Sequence, residues 1–530
     1  MLFTSYEFLG FIIVLFLLYY LVPKGLQWML LLAAGYVFYA AADPRYLLYI
    51  LATTVTVYLV ARVIERNQER QTLYLREHKS EMSREEKKSY KESRHKVRFR
   101  WLLLGLLFNL GILATVKYAN FFISNVNGIM GAFGGTSRLS FVTLALPMGI
   151  SFYTFQALGY LIDVYRGTVP AEKNLFKLAL FVSFFPQLIQ GPISRFDDLS
   201  KTLYEKHGFE WRTVSFGLQR MLWGYFKKMV IADRILTGLS CIIDAPEQYH
   251  GAYAFVGMLF YTIELYADFT GGIDITIGIA QVLGIRLQEN FERPYFSKSL
   301  KEYWRRWHIT MGTWFKDYIF YPISVCRPMQ KFSRFSRAHM GKEIGKRLPV
   351  YLSSFVVWFA TGFWHGASWN FVVWGLLNWL VLMVSEEFEP LYERFHKSFR
   401  FSNTRLYSIF QVGRTFLLIS VLKMFDCYSD VATTFRMFGS MFTADNWNAL
   451  WDGSLLDLGI TAADYGILAV GTAVLLFVGL LQRSGSVREK AAARPYPVRA
   501  AMWFVLFLSV LIFGAYGIGY DASQFIYNRF

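Results

Sequence analysis

Apolar residues fall in long runs along almost the whole chain, and the polar residues gather in the stretches between them. A helix crossing the hydrocarbon core needs about 20 mostly apolar residues. In lipid every backbone group must find its partner within the protein. The pattern therefore predicts an all-α polytopic membrane protein. Early spans are expected at 8–22, 27–41 and 46–61, and a fourth at 101–118. Between the last two lies 62–100, "RVIERNQERQTLYLREHKSEMSREEKKSYKESRHKVRFR", with Glu and Lys/Arg mixed along a helical excursion. The Gly-, Asn- and Ser-rich stretch 120–140 reads as an outer loop, and 141–162 as the return. Pro186, Gly191 and Pro192 interrupt 178–199, so that segment should be kinked or re-entrant. Further apolar stretches at 214–243, 252–287, 349–364, 369–385, 406–425, 460–481 and 500–517 bring the expected count to about a dozen. No internal repeat or soluble domain interrupts them, so residues 1–530 are read as a single integral membrane domain.

Charge sets the expected orientation. The 530 residues are 54% hydrophobic and 18% charged, against roughly a quarter charged in soluble proteins. The net charge of +17 sits in short loops, as the positive-inside rule describes, and the anionic leaflet accounts for it without nucleic acid. Basic stretches 62–100, 298–347, 394–405 and 483–499 are placed in the cytoplasm, and acidic 445–457 outside. Both termini then lie outside. "MLFTSYEFLG" has Glu7 and no Lys or Arg before its apolar run, so it is expected to be a first span and not a secretory signal. Cys241, Cys326 and Cys427 lie too far apart in sequence for a metal or disulfide framework.

No Walker A, HExxH or GxSxG motif is present, and "GIGYDA" at 517–522 follows a membrane helix where a dinucleotide motif needs strand–turn–helix. Six of the eight histidines sit among polar residues. His308 and His365 do not. A helix through 299–323 places Trp304, His308, Met311 and Phe315 on one face, with Lys301 and Arg305 beside it. This is an amphipathic interfacial helix, and His308 reads either as a satisfied core histidine or as a functional one. His365 lies deep in an apolar stretch, "TGFWHGASWNFVVWG", with Gly362 and Gly366 opening the backbone and Trp364 and Trp369 as walls. An ionisable side chain at such depth is a functional candidate by default. Glu264, Asp268 and Asp274 lie inside another apolar run and cannot face lipid. They read as hydrogen-bonded to backbone, Tyr or Arg, or alternatively as a cation or proton site.

Four stretches resemble the membrane-bound O-acyltransferases, in their bacterial alginate O-acetylation-type branch. They are "SFFPQLIQGPISR", "YADFTGGIDITIGIAQVLGIRL", "ENFERPYFSKSLKEYWRRWHITMGTWFKDYIFYPI" and "FWHGASWNFVVWG", and the ending "DASQFIYNRF" resembles that branch as well. The resemblance runs from about residue 144 to the end, with its catalytic motifs in 290–375. It implies tilted helices around a central tunnel, with His365 as the catalytic histidine and His308 as the second motif histidine. Many relatives carry a histidine after "WG"; this chain has Asn378, which keeps hydrogen bonds but not proton transfer.

On this resemblance the chain is expected to pass an acyl group, acetyl foremost, from a cytoplasmic thioester such as acetyl-CoA toward an exported or cell-surface polysaccharide. No bound cofactor or metal is expected. An extracytoplasmic SGNH-type transferase is the expected partner, and the bacterial inner membrane the location. Trp304, Arg305, Arg306, Trp307, Lys316, Asp317, Trp364 and Asn370 are the candidate donor- and substrate-binding residues, with Arg305, Arg306 and Lys316 suited to phosphate. D-alanyl transfer to teichoic acid from a carrier protein is the alternative within this class. A transporter or flippase without bond chemistry is the alternative outside it, since broken helices and intramembrane carboxylates suit transport as well.

Overall fold

The computed structural model describes residues 2–135 and 137–516, and these are helical with irregular connections. They fall into two compact units: Met1–Val214 with Ile279–Leu287, and Ser215–Gly278 with Gln288–Phe530. Among the described residues six helices are long and apolar enough to cross a membrane: Tyr46–Glu77, Arg84–Ala132, Trp369–Glu387, Arg405–Cys427, Ala462–Ser484 and Tyr496–Phe513. Tyr6–Leu21 is apolar but shorter. The terminal stretch 517–530, with its "GIGYDA" and "DASQFIYNRF", lies outside the described residues.

In the first unit the charged stretch 62–100 is a helical hairpin. Helix Tyr46–Glu77 runs out of its apolar half into the charged half, and Arg84–Leu113 returns. Ser83 starts the return with a capping box: its Oγ accepts from the Glu86 N–H, and the Glu86 carboxylate accepts from the Ser83 N–H. Arg98 bonds Gln71 across the hairpin at 2.7 Å.

The expected outer loop at 120–140 is instead helix over much of its length, Ala119–Ala132, continuous with the preceding span through a π-helical turn at Ala114–Tyr118. The asparagines that suggested a loop serve the chain beyond it. Asn127 donates to the Leu139 carbonyl (2.9 Å) and accepts its N–H (2.8 Å), and Asn120 holds Val142 in the same two-way fashion. Residues 137–147 have no regular structure, and the next helix begins only at Ile150, after a turn at 148–149, not near 141. The interruption at 178–199 is present as expected: helices Leu175–Ser183, Phe185–Gln190 and Phe196–Leu203 are separated by extended residues. This irregular backbone is buried, and Gln187 supplies part of its bonding by donating to the Pro192 carbonyl at 2.8 Å.

In the second unit two of the three intramembrane carboxylates, Asp268 and Asp274, pair with cations, Asp274 with an arginine as expected and both with lysines. Helix Trp211–Tyr225 passes into a π-helical stretch, Phe226–Ala232. The extra residue per turn of such a stretch shifts the helix face, and two successive lysines point at helix Ala252–Val282. Lys228 lies 2.6 Å from Asp268 and 2.7 Å from Asp233; Lys227 lies 2.7 Å from Asp274, which also pairs with Arg220 at 2.9 Å. Close approach makes this possible. A Cβ on Gly224 would lie 2.6 Å from the Gly271 carbonyl, so only glycine fits there.

Removing one partner of a buried ion pair costs about 3–5 kcal/mol. Lys228→Met is therefore expected to lower the melting temperature of the purified protein by several degrees. A variant melting within a degree of the parent would show that Asp268 does not depend on this lysine.

Candidate functional site

His365 is the last residue of helix Lys342–His365. Gly366 is extended, Ser368 caps the next helix by accepting from the Asn370 N–H, and Trp369–Glu387 turns back along the first. Glycines set how closely these two helices cross. A Cβ on Gly362 would sit 2.3 Å from the Phe371 carbonyl, and one on Gly375 would sit 3.2 Å from the Gly362 Cα. The crossing brings Trp374 edge-on to the His365 ring at 4.7 Å and stacks Phe371 on it at 6.3 Å. Trp364 supplies a wall as expected, at 5.0 Å. Trp369 does not; it is 56% exposed. A tryptophan at the first position of a helix projects away from the helix before it, and the wall comes from Trp374, more than a turn further on.

His308 is not on a continuous helix. Helix Leu300–Arg306 stops, His308 takes a left-handed conformation (φ 47°, ψ 53°), and a new helix runs Ile309–Phe315. A non-glycine residue there carries about 1–3 kcal/mol of strain, held by the preceding chain. Glu292 N–H donates to the Arg306 carbonyl and Ile309 N–H to the Asn290 carbonyl. Asn290 Oδ1 accepts from Thr310 N–H (3.1 Å) and Thr310 Oγ1 (2.9 Å), and lies 3.3 Å from His308 Nδ1. Since that oxygen only accepts, Nδ1 is the protonated nitrogen and Nε2 the acceptor. Burial foremost, and then the nearby His365, hold the His308 imidazole well below the usual histidine range. The break, not a shared helical face, aims the ring inward.

The two imidazoles meet through one side chain. Trp364 lies 6.0 Å from His308 and 5.0 Å from His365, edge-on to both. His365 lines a cavity of about 30 Å³ with Trp304, Trp307, Trp374, Lys423 and Asp426. That is room for a single water. His308 is not part of its wall; Phe269, which packs edge-on to His308 at 4.9 Å, stands between. Phe269 and Trp364 thus pack between the two imidazoles, Phe269 also lining the His365 cavity.

The other candidates divide. Trp304 donates to Asn378 Oδ1 at 3.1 Å, so the asparagine that stands where many relatives have histidine orients a wall of the His365 cavity. Trp307 lies beneath the Lys423 ammonium at 4.2 Å. Asn370 is buried, bonded through its nitrogen to the Tyr428 carbonyl at 2.6 Å. Arg306 pairs with Glu302 at 2.7 Å. Arg305 and Lys316 are exposed, Asp317 is half-buried, and none of these four lines the cavity. Lys423 and Asp426 were not singled out from sequence. Lys423 is 4% exposed and donates to Tyr295 Oη at 2.6 Å. The signal was available: a lysine and an aspartate three apart inside the apolar run "FLLISVLKMFDCY".

The profile of the MBOAT, membrane-bound O-acyltransferase family matches residues 169–429. A Pseudomonas syringae pv. tomato protein named "Probable alginate O-acetylase AlgI" is 32% identical over 484 residues, 91% of this chain and 82% of its own length. The peptidoglycan O-acetyltransferase of Helicobacter pylori is 33% identical over 322 residues, 56% of this chain and 57% of its own. The teichoic acid D-alanyltransferase of Bacillus subtilis is 26% identical over 289 residues, 53% of this chain and 67% of its own.

Crowding at Gly366 makes His365 sensitive to a single methyl group, because a Cβ there would lie 2.2 Å from the Phe371 ring. Gly366→Ala should displace that ring against His365 and cut acyl transfer about tenfold or more, measured per folded protein. Adding Phe371→Leu should recover much of it. A Gly366→Ala protein with the parent's rate would show that Phe371 does not hold the imidazole.

Proposed function

The chain belongs to the membrane-bound O-acyltransferase family, and from that premise we propose that it moves an acetyl group from a cytoplasmic thioester toward hydroxyls of an exported or cell-surface polysaccharide. It is a multi-pass membrane O-acyltransferase. The observation that carries the proposal is the His365 ring at the edge of a cavity walled by Trp304, Trp307 and Trp374, with Trp364 linking it to His308. Imidazole has a pKa of about 6.5 unperturbed, which suits a base at neutral pH. His365 takes the acceptor hydroxyl's proton as the oxygen attacks the thioester carbonyl, and returns it to the departing thiol. Trp364, buried between the rings, keeps water from competing with the acceptor.

Acetyl-CoA is the donor we favour. Exposed Arg305 and Lys316 lie on the His308 segment, and their charges suit the phosphates of such a donor. An extracytoplasmic SGNH-type partner completes the transfer to polymer in this account. Relatives named for acetyl transfer reach 94% coverage of this chain, those named for D-alanyl transfer 53%; this favours acetyl over D-alanyl. A transport reading does not require a base, and it separates from ours at His365.

His365→Ala should cost about 10²–10⁴-fold in acyl transfer with folding intact. A folded variant retaining more than half the parent's rate would refute the base role, and His365→Gln retaining export of polymer modification would favour passive transport.

The sidedness is tested separately. With Cys241, Cys326 and Cys427 replaced, a membrane-impermeant thiol reagent applied to intact cells should reach a cysteine placed at position 450 and not one at 85. The reverse labelling would exchange the donor and acceptor faces.

A further inference from the structure

The helices Ala462–Leu481 and Tyr496–Phe513 border a second space in the same unit. On Tyr496–Phe513, Val498, Ala501, Met502, Val505 and Ser509 recur at helical spacing and form one stripe. Val474 and Val478, one turn apart, face it from Ala462–Leu481, and Trp223 and Phe226 add a further wall. Together they line a cavity of about 1080 Å³ that shares no wall residue with the one beside His365. Val498, Met502 and Val505 are exposed, so this side of the cavity is open.

Length and charge say what fits. From Val498 to Ser509 the stripe rises about 17 Å at about 1.5 Å per residue. One leaflet's share of the hydrocarbon core is about 15 Å. The stripe is apolar, and the connection at its Val498 end adds Gln482, Ser486 and Arg488 to the wall. Arg488 is fixed there: it donates to the Phe216 carbonyl at 2.8 Å, with its guanidinium over the Phe216 ring at 5.6 Å. Arg293 lines the cavity from a left-handed backbone (φ 47°, ψ 55°), a conformation that a non-glycine residue keeps only where its surroundings impose it. Arg293 is half-buried, and its guanidinium has no ion pair or hydrogen bond among the described residues. Of the acids in the wall, Asp274 and Glu289 are both taken by Arg220, at 2.9 and 2.5 Å. Glu292 is exposed. It is outweighed by the connection 482–499, which holds five basic residues and one acidic.

We propose that this cavity binds one anionic phospholipid of the inner leaflet, with an acyl chain along the valine stripe and the headgroup phosphate at Arg293 and Arg488. The guanidinium fork matches phosphate oxygens. The positive-inside rule puts the basic connection at the cytoplasmic end of both spans, which selects the leaflet. An acetyl donor also carries phosphates, but it has no long chain to fill an apolar shaft of leaflet depth. The site goes beyond acyl transfer and touches the segment that supports it. Phe291 and Ile309 line the cavity as well. The Phe291 ring packs on Trp307 at 4.9 Å, and Ile309 follows His308. Arg293 and His308 are the two non-glycine residues with left-handed backbone among the described residues. The lipid thus rests against the stretch that holds both.

Retained lipid gives the test, read by native mass spectrometry on full-length protein in uncharged detergent. Phosphatidylglycerol and phosphatidylcholine with the same chains are compared. One phosphatidylglycerol should be held about tenfold more tightly than phosphatidylcholine, and it should raise Tm by mass action. Arg293→Gln and Arg488→Gln should each weaken its retention about tenfold. Val474→Trp fills the shaft while leaving both arginines, and it should weaken retention as much. Equal retention of the two lipids overturns the headgroup assignment. Unchanged retention in the variants that fold overturns the site, and any one of the three suffices for that. Excess acetyl-CoA should leave the lipid bound; displacement would make the phosphate ligand a donor and end the lipid reading. A second copy of the chain held in place of lipid would end it too. Retention requires no turnover, so a protein inactive in acyl transfer but selective for phosphatidylglycerol would sink the enzymatic reading and leave this site standing.

Discussion

The close crossing of helices Lys342–His365 and Trp369–Glu387 is the contact on which the site depends. Gly362 and Gly375 pack backbone to backbone, and Gly366 leaves room for the Phe371 ring. In lipid there is no hydrophobic force to press helices together, so van der Waals fit between small residues does that work. Here it fixes the last turn of one helix against the first turns of the next. His365 is thereby set among Trp364, Phe371 and Trp374 with little freedom to rotate. Preorganisation of this kind is what a base needs, since a misplacement of about 1 Å can cost a hundredfold in rate.

Around that crossing the unit places its charges sparingly and in pairs. Lys227, Lys228 and Arg220 neutralise Asp268 and Asp274 on the neighbouring helix. Lys423 rests on the Trp307 face with its ammonium bonded to Tyr295. Lys423 and Asp426 line the His365 cavity together with its aromatic rings. His308 contributes from a strained turn, and the strain is met by Asn290, whose one carbonyl oxygen serves His308 and Thr310 together.

The apolar runs made the helical membrane class legible, and the aromatic–histidine motifs made the family legible; both agree with the helices and with relatives at 32% identity over most of the chain. Pro186 and Gly191 announced the broken segment because proline and glycine act locally. What escaped was set by contacts distant in sequence. The asparagines at 120 and 127 looked like loop residues because such residues favour turns, yet here they bond a neighbouring irregular stretch of chain from within a helix. The break at His308 was hidden because helical spacing held on both sides, and only the pairing with residues 290–292 interrupts it. Lys423 and Asp426 were passed over inside a span that reads as apolar, and their place beside His365 follows from tertiary packing alone.

The central claim is that acyl transfer takes place at His365, in the cavity formed by Trp304, Trp307 and Trp374. The most direct measurement is an experimental structure of the full-length protein with a thioether analogue of acetyl-CoA, which binds but cannot transfer. The account predicts Phe269 or Trp364 displaced, with the analogue's acyl carbonyl within about 3–3.5 Å of the near-attack position beside the His365 imidazole. An analogue whose acyl end lies elsewhere, with His365 still enclosed by its aromatic walls, would contradict it.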